Sequence, residues 1–388
     1  MKRELFAILI VAILGLSLGI YARHLLYSTY TETKLEQKQL TIEYKLIPLL
    51  KIEVIRDQKI VSQYCQIDPP TENFMWMLEV IFWPNYEWYE GVTNLGGTIV
   101  NFGKSPSYTE TFTSTGSTDP RILILLGNGS SPSFSRSAYA LQNEVEIVVA
   151  SDPSLSANST HAVLSIAGSW TASYNVTITE VGLSMRFDIY DADNNNYDEI
   201  LLLYTPLDSP VDLVENDTIT VTYEFAFPEP FTVQMAKLFQ IIFFPYSSSY
   251  TTVNATDGTI QDIGIRDANP NAYDFFSHGN SDILTIAIGN GTASWNIWKY
   301  SLANFVNSNT ASISVSQGDQ GTYITITATI GISSSINATE IGLCITGEIY
   351  DSTDNNYVEL LLVYFALDSP VQVEAGESLE VTIKLVFP

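Results

Sequence analysis

The chain has 388 residues and a formal net charge of −26, with 17 Lys and Arg residues against 43 Asp and Glu residues. Because 46% of the residues are hydrophobic, a disordered acidic tail is excluded. The acidic balance argues against nucleic acid as a partner, since phosphate contacts need a basic surface. Three His and two Cys argue against a zinc or iron–sulfur centre and exclude a disulfide scaffold. We therefore expect a structural or binding protein that is not an enzyme and has no cofactor.

The N-terminus carries an uncharged apolar stretch, residues 5–21, which follows Lys2 and Arg3. A helix of this length is about 25 Å long, near the lower limit for a bilayer span. The stretch predicts a transmembrane signal anchor over residues 1–22, and a cleaved signal peptide is the alternative. Ile20 fits a cleavage site poorly, which favours the anchor. Both interpretations place residues 23–388 outside the cytoplasm, whereas a buried core helix is a third interpretation.

Residues 23–67 are predicted to be a connecting stalk. Residues 1–67 have a net charge of +3, whereas residues 68–388 have −29, which indicates a domain boundary near residue 68. The polar segment 31–40 favours a helix. Segment 39–55 favours one or two strands, with Pro48 at an edge or a break. The stalk would then act as a spacer or lend a strand to a neighbouring sheet.

An internal duplication occupies the rest of the chain. Between residues 180 and 211, 18 of 32 positions are identical to those 160 residues later. The apolar segments 75–85 and 235–246 also correspond, and they are the predicted helices. The first copy ends at Phe227-Pro228 and the second at Phe387-Pro388. We therefore predict two domains, 68–228 (the first copy) and 229–388 (the second copy).

Each copy is predicted to be mostly β. Segments 219–227 and 379–387 alternate between apolar and polar residues and are rich in β-branched and aromatic side chains. Turn-forming clusters of Asn, Asp, Gly, Ser and Pro recur every 8–15 residues. This spacing is typical of antiparallel sandwiches. The predicted fold is a transmembrane helix and a stalk, followed by two tandem antiparallel β-sandwich domains of the jelly-roll type.

Several short motifs occur twice in the same order. Each copy has an apolar strand ending in Gly-Asn-Gly, a Tyr-x-Leu-x-Asn-x-Val segment, a Thr-Glu-x-Gly-Leu segment and a Leu-Asp-Ser-Pro-Val segment. This order resembles a domain of bacteriophage tail-fibre and other virion structural proteins, over about 320 residues. The family pattern has Ala-Gly-Asp before its last strand. The second copy keeps Gly376 there, whereas the first has Asn216, which also tolerates a left-handed backbone. The resemblance implies structural modules without catalysis.

Candidate sites are few. Asp191, Asp193 and Asn195 have the spacing of a calcium loop, although Asn196 replaces its glycine and Leu202 its glutamate. A hairpin turn is the alternative. No Ser-His-Asp arrangement is apparent around His161 or His278. Cys344 is expected to be a free, buried thiol, with a disulfide to Cys65 as the alternative. Seven sequons are candidate N-glycosylation sites: Asn128, Asn158, Asn175, Asn216, Asn254, Asn290 and Asn337.

The leading functional hypothesis is a membrane-anchored surface structural protein, a virion spike, turret or fibre component used in assembly or host attachment. A cellular surface adhesin or a pilus- or S-layer-associated protein is the first alternative, and a secreted carbohydrate-binding or carbohydrate-active protein the second. The expected partners are the membrane through residues 5–21, further copies or other coat proteins, and a host receptor or glycan. The poverty in Lys and Arg favours an acidophilic archaeal host or its virus, because acid neutralises carboxylates. A moderately acidic surface at neutral pH is the alternative.

Overall fold

The computed structural model describes residues 37–46, 48–82, 89–103, 110–111, 122–189, 197–244, 250–264, 273–274, 284–318, 321–349 and 357–387. These residues form 23 β-strands and two α-helices, so the prediction of a mostly β protein is confirmed. Lys38–Pro388 form one compact unit. Neither of the two helices has the length and apolarity needed to cross a bilayer, and the predicted span, residues 5–21, lies outside the described residues.

Three strands precede the first copy: β1 (Gln37–Lys45), β2 (Pro48–Arg56) and β3 (Lys59–Ile67). The elements of the first copy are α1 (Glu72–Phe82), β4 (Tyr89–Thr93), β5 (Ile99–Gly103), β6 (Glu110–Thr111), β7 (Ile122–Gly127), β8 (Glu144–Val149), β9 (Ser154–Ala157), β10 (His161–Thr171), β11 (Val176–Ile189), β12 (Tyr197–Leu213) and β13 (Thr218–Pro228).

The second copy repeats this order: α2 (Val233–Ile242), β14 (Tyr250–Asn254), β15 (Ile260–Gly264), β16 (Tyr273–Asp274), β17 (Leu284–Gly289), β18 (Phe305–Thr310), β19 (Ser312–Gly318), β20 (Gly321–Gly331), β21 (Ile336–Ile349), β22 (Tyr357–Val373) and β23 (Ser378–Phe387). Both helices overlap the apolar segments predicted to be helical, 75–85 and 235–246, and begin three and two residues before them.

Each copy contributes one large and one small sheet. The large sheet of the first copy has the order β4-β5-β6-β11-β7-β8, with β12 on the other side of β11, and β14–β18, β21 and β22 repeat it in the second copy. The small sheets are β3-β2-β13-β10-β9 and β1-β23-β20-β19. In β10 every second residue is buried, as expected for a strand with one face on a core. A Cβ atom on Gly168 of β10 would lie 3.0 Å from the Ile124 side chain of β7, so the two sheets pack closely.

The predicted stalk is part of the two small sheets. Strand β2 pairs antiparallel with β13 of the first copy, from Pro48 opposite Phe225 to Ile55 opposite Thr218. Strand β1 lies beside β23 of the second copy, where the Leu46 N–H donates to the Val386 carbonyl (3.0 Å). The strands predicted in segment 39–55 and the break at Pro48 are therefore confirmed, whereas the predicted helix over 31–40 is wrong for residues 37–40, which are strand. Strands β1 and β2, which are consecutive in the chain, thus join both copies.

The two copies share a core. Helix α1 packs between β12 of its own copy and strands β19 and β20 of the other, and α2 packs in the reciprocal way on β22, β9 and β10. One continuous cluster of buried apolar side chains includes residues of both copies. At its centre the ring of Phe225 lies 5.2 Å from that of Phe243 and 6.0 Å from that of Phe239, which belong to the second copy.

This shared core predicts that damage in one copy destabilises both. We expect Phe225→Leu to lower the free energy of unfolding by about 1–2 kcal/mol, because the smaller side chain leaves a void among aromatic rings. The measurement is thermal melting followed both by circular dichroism and by exposure of the Cys344 thiol, which is buried in the second copy. Both curves should shift together, and Ile147→Leu, at an exposed position, should shift neither. A Cys344 curve that stays in place would contradict the shared core.

Candidate functional site

Each copy contains one fully buried glutamate that binds four donors. In the first copy Glu180, on β11, accepts backbone N–H groups from Gly129 (3.1 Å), Gln142 (3.0 Å) and Asn143 (3.0 Å) and the hydroxyl of Tyr204 (2.9 Å). A buried carboxylate costs free energy unless such bonds satisfy it. Here three of the bonds fasten both ends of the loop between β7 and β8 to the middle of the large sheet, and the fourth joins β11 to β12. Burial and the neighbouring Glu180 raise the pKa of Tyr204, so that its hydroxyl remains a donor.

The second copy repeats this network. Glu340 accepts N–H groups from Gly291 (3.2 Å), Ala303 (3.1 Å) and Asn304 (3.2 Å), and the Tyr364 hydroxyl donates to it (2.6 Å). These donors occupy the positions equivalent to those around Glu180. We call the two networks the glutamate clamps.

The glutamate clamps explain the repeated motifs. A Cβ atom on Gly127 would lie 2.6 Å from Glu180 Cγ, and one on Gly129 would lie 2.8 Å from Glu180 Oε1, so both positions exclude a side chain. Thr179, beside the glutamate, donates its hydroxyl to the Gly129 carbonyl (2.9 Å). The Gly-Asn-Gly, Leu-x-Asn and Thr-Glu-x-Gly motifs therefore form one packing unit. Each has a structural role in this network.

Asp68 is a further buried carboxyl of the first copy, and its equivalent in the second copy, Glu229, is exposed. Asp68 follows β3, is completely buried, and has no hydrogen bond to either carboxyl oxygen among the described residues. The hydroxyls of Thr205 and Tyr223 are buried nearby and are also without partners there. Burial raises the pKa of Asp68 to about 8. The equivalent positions in the second copy hold Glu229, Phe365 and Ile383.

A cavity of about 350 Å³ lies in the second copy. Strands β17, β18, β21 and β22, the segment just before β18 and the turn between β14 and β15 line it. Its wall is mainly apolar and includes Glu359 and the thiol of Cys344. Burial, followed by the charge of Glu359, raises the pKa of Cys344 well above its usual value, so the thiol stays protonated.

The predicted calcium ligands Asp191, Asp193 and Asn195 lie outside the described residues. The strands that flank them are present, since β11 and β12 pair antiparallel up to Asp188 opposite Tyr197. Among the described residues no group of three or more His, Cys, Asp or Glu side chains is arranged to hold a metal ion.

The seven sequon asparagines all lie within the described residues. Asn254, on β14, is half-buried. The other six are exposed: Asn128, Asn158, Asn175, Asn216, Asn290 and Asn337. Asn216 has a φ of 72° and the equivalent Gly376 a φ of 88°, which confirms the prediction of a left-handed backbone at this turn. Glycosylation at these positions stays a prediction.

Neither cysteine is in a disulfide: Cys344 is buried, as predicted, and Cys65 is exposed. His161 is the half-buried first residue of β10, and its ring nitrogens contact the side chains of Asn158 (3.3 Å) and Thr160 (3.0 Å). His278 lies outside the described residues.

Comparison with known proteins adds no relative: no protein family, no curated protein and no solved structure matches this chain.

Proposed function

We propose that the protein is a membrane-anchored surface structural protein, a spike, turret or fibre component of a virion, built from two jelly-roll-like β-sandwich copies. The observation that carries the proposal is the path of residues 37–56. This segment begins 16 residues after the predicted membrane span and extends one sheet in each copy. The segment nearest the proposed anchor therefore holds the whole exterior body.

The attachment is extensive. Strand β2 pairs with β13 over eight residues. Two ion pairs reinforce it, Lys51 with Glu224 (2.7 Å) and Arg56 with Asp217 (2.6 Å). The Arg56 guanidinium holds the pKa of Asp217 below its usual range. Pulling along the segment would load a row of backbone hydrogen bonds together, which suits a protein that transmits force between a membrane and a partner.

The repeated motifs support the same function. In both copies the glutamate clamps use the repeated Gly, Asn, Glu and Tyr residues for packing. This use agrees with the virion structural domain that the motif order resembles. The buried Asp68 adds support for an acidic setting, because a carboxyl whose pKa is about 8 is neutral and stable in acid.

The test is localisation by electron microscopy. An antibody raised against residues 68–388 should label intact particles or cell surfaces without permeabilisation, and the antigen should remain with membranes after washing in high salt. Label on virions supports the proposal, whereas label confined to cell surfaces favours the cellular adhesin. No label on either surface, with antigen recovered in the soluble fraction, would contradict both. A chain lacking residues 1–22 is the matched control and should be released from membranes.

A further inference from the structure

At the cavity of the second copy, two positions carry smaller side chains than their equivalents in the first copy. Ala287 on β17 occupies the position that Leu125 holds on β7, and Thr256 the position of Leu95. In the first copy Leu95 and Leu125 belong to one packed apolar cluster with Leu201. The smaller side chains of the second copy leave that space open. Its volume, about 350 Å³, lies within the range of small-molecule sites.

A second difference between the copies concerns the charge in this space. Glu199 of the first copy is paired with Arg186 (3.0 Å). Its equivalent in the cavity is Glu359. In the second copy, Thr346 occupies the position of that arginine. Glu359 accepts a hydrogen bond from Thr256 (2.8 Å) and has no cationic partner among the described residues. Within the described part of the chain, the cavity therefore has a carboxylate without the cationic partner that its equivalent has in the first copy.

The rest of the wall defines what fits beside the carboxylate. Ala287, Leu302 and Leu361 form an apolar surface next to Glu359. Asp257 adds a second carboxylate, and its hydrogen bonds from Thr259 hold its pKa below the usual value. Among the described residues, the lining has no Lys, Arg or His. A ligand matching this wall has one positive group and a short apolar stem.

We propose that the cavity binds a primary alkylammonium group, with its nitrogen on Glu359 and its stem against Ala287, Leu302 and Leu361. An ammonium group donates three hydrogen bonds and carries the charge that Glu359 lacks. The strongly negative exterior raises the local concentration of cations. The same chemistry is present in free alkylamines and in the lysine side chains of a partner protein, and the experiment distinguishes these two sources.

The experiment is calorimetric titration of the purified full-length chain with n-hexylammonium, n-hexanol and hexanoate. Hexylammonium should bind at least tenfold more tightly than either analogue. Glu359→Gln should weaken hexylammonium binding about tenfold, and Ala287→Leu, which restores the side chain of the first copy, should abolish it. Glu199→Gln, the matched change in the first copy, should leave binding unchanged. Each variant is first checked for an unaltered melting transition, and Ala287→Leu alone suffices if Glu359→Gln fails to fold.

Peptides distinguish whether a partner protein or a small molecule supplies the ammonium group. A short peptide with one lysine should bind more tightly than the same peptide with norleucine if a partner protein supplies the group, whereas free amines alone will bind if the ligand is a small molecule. Equal binding of hexylammonium and hexanol, or unchanged binding to Ala287→Leu, would overturn the proposal. Localisation of the protein to a surface is independent of either result.

Discussion

Glu180→Ala should lower the free energy of unfolding by about 3–5 kcal/mol, because it leaves three backbone N–H groups and the Tyr204 hydroxyl without an acceptor inside the protein. Urea denaturation of the purified chain measures this loss. Tyr204→Phe removes one of the four hydrogen bonds and should lower the free energy of unfolding by about 1 kcal/mol.

The second copy provides the equivalent variant. Glu340→Ala removes the equivalent four bonds and should lower the free energy of unfolding by a similar amount. If Glu180→Ala changes stability by less than about 1 kcal/mol, the glutamate clamps do not hold the loops as argued. A role in binding would instead show as an unchanged denaturation midpoint.

Asp68 should make the protein less stable as the pH rises. Its pKa is about 8 in the folded protein and 3.8 when unperturbed, so folding favours the protonated form. The stabilisation is complete below pH 4 and falls through the interval from pH 4 to pH 8. The decrease is on the order of 6 kcal/mol. Asp68→Asn removes the ionisation, so the variant should gain stability relative to the parent as the pH rises through this interval.

The other carboxylates of the chain also titrate. The quantity to measure is therefore the difference in the free energy of unfolding between variant and parent at each pH. Tyr223, which faces Asp68, remains protonated throughout, because burial raises its pKa well above the usual value. Ser209→Ala, at an exposed position without an ionisable group, is the control and should leave the pH dependence unchanged. If the free energies of unfolding of Asp68→Asn and the parent differ by a constant amount from pH 4 to pH 8, Asp68 is not a buried carboxyl that folding keeps protonated.

Much of the local structure could be predicted from the sequence. The period-two alternation of β13 and β23 follows from one buried face, and the duplication itself predicted that the two copies would have the same elements. The left-handed turn at Asn216 and the free, buried Cys344 were also predictable, since each depends on a residue and its immediate neighbours. Short-range patterns determine these features.

The arrangement between the copies was not predictable in the same way. Nothing local in α1 indicates that it packs on β19 and β20, because an apolar helix fits any apolar sheet. The role of Glu180 was also missed, although its recurrence as Glu340 beside a glycine in each copy was a usable indication. The cavity was equally detectable, because Ala287 and Thr346 depart from Leu125 and Arg186 in aligned positions. Asp68 gave no comparable indication, since its equivalent, Glu229, is also acidic.

Strands β1 and β2 and one core join the two copies into a single body, so the copies should unfold together. Scanning calorimetry of the full-length chain measures this. We expect one transition whose calorimetric enthalpy equals its van't Hoff enthalpy, and Glu180→Ala and Glu340→Ala should each move that whole transition to lower temperature. Two separable transitions, of which each variant moves only one, would contradict it.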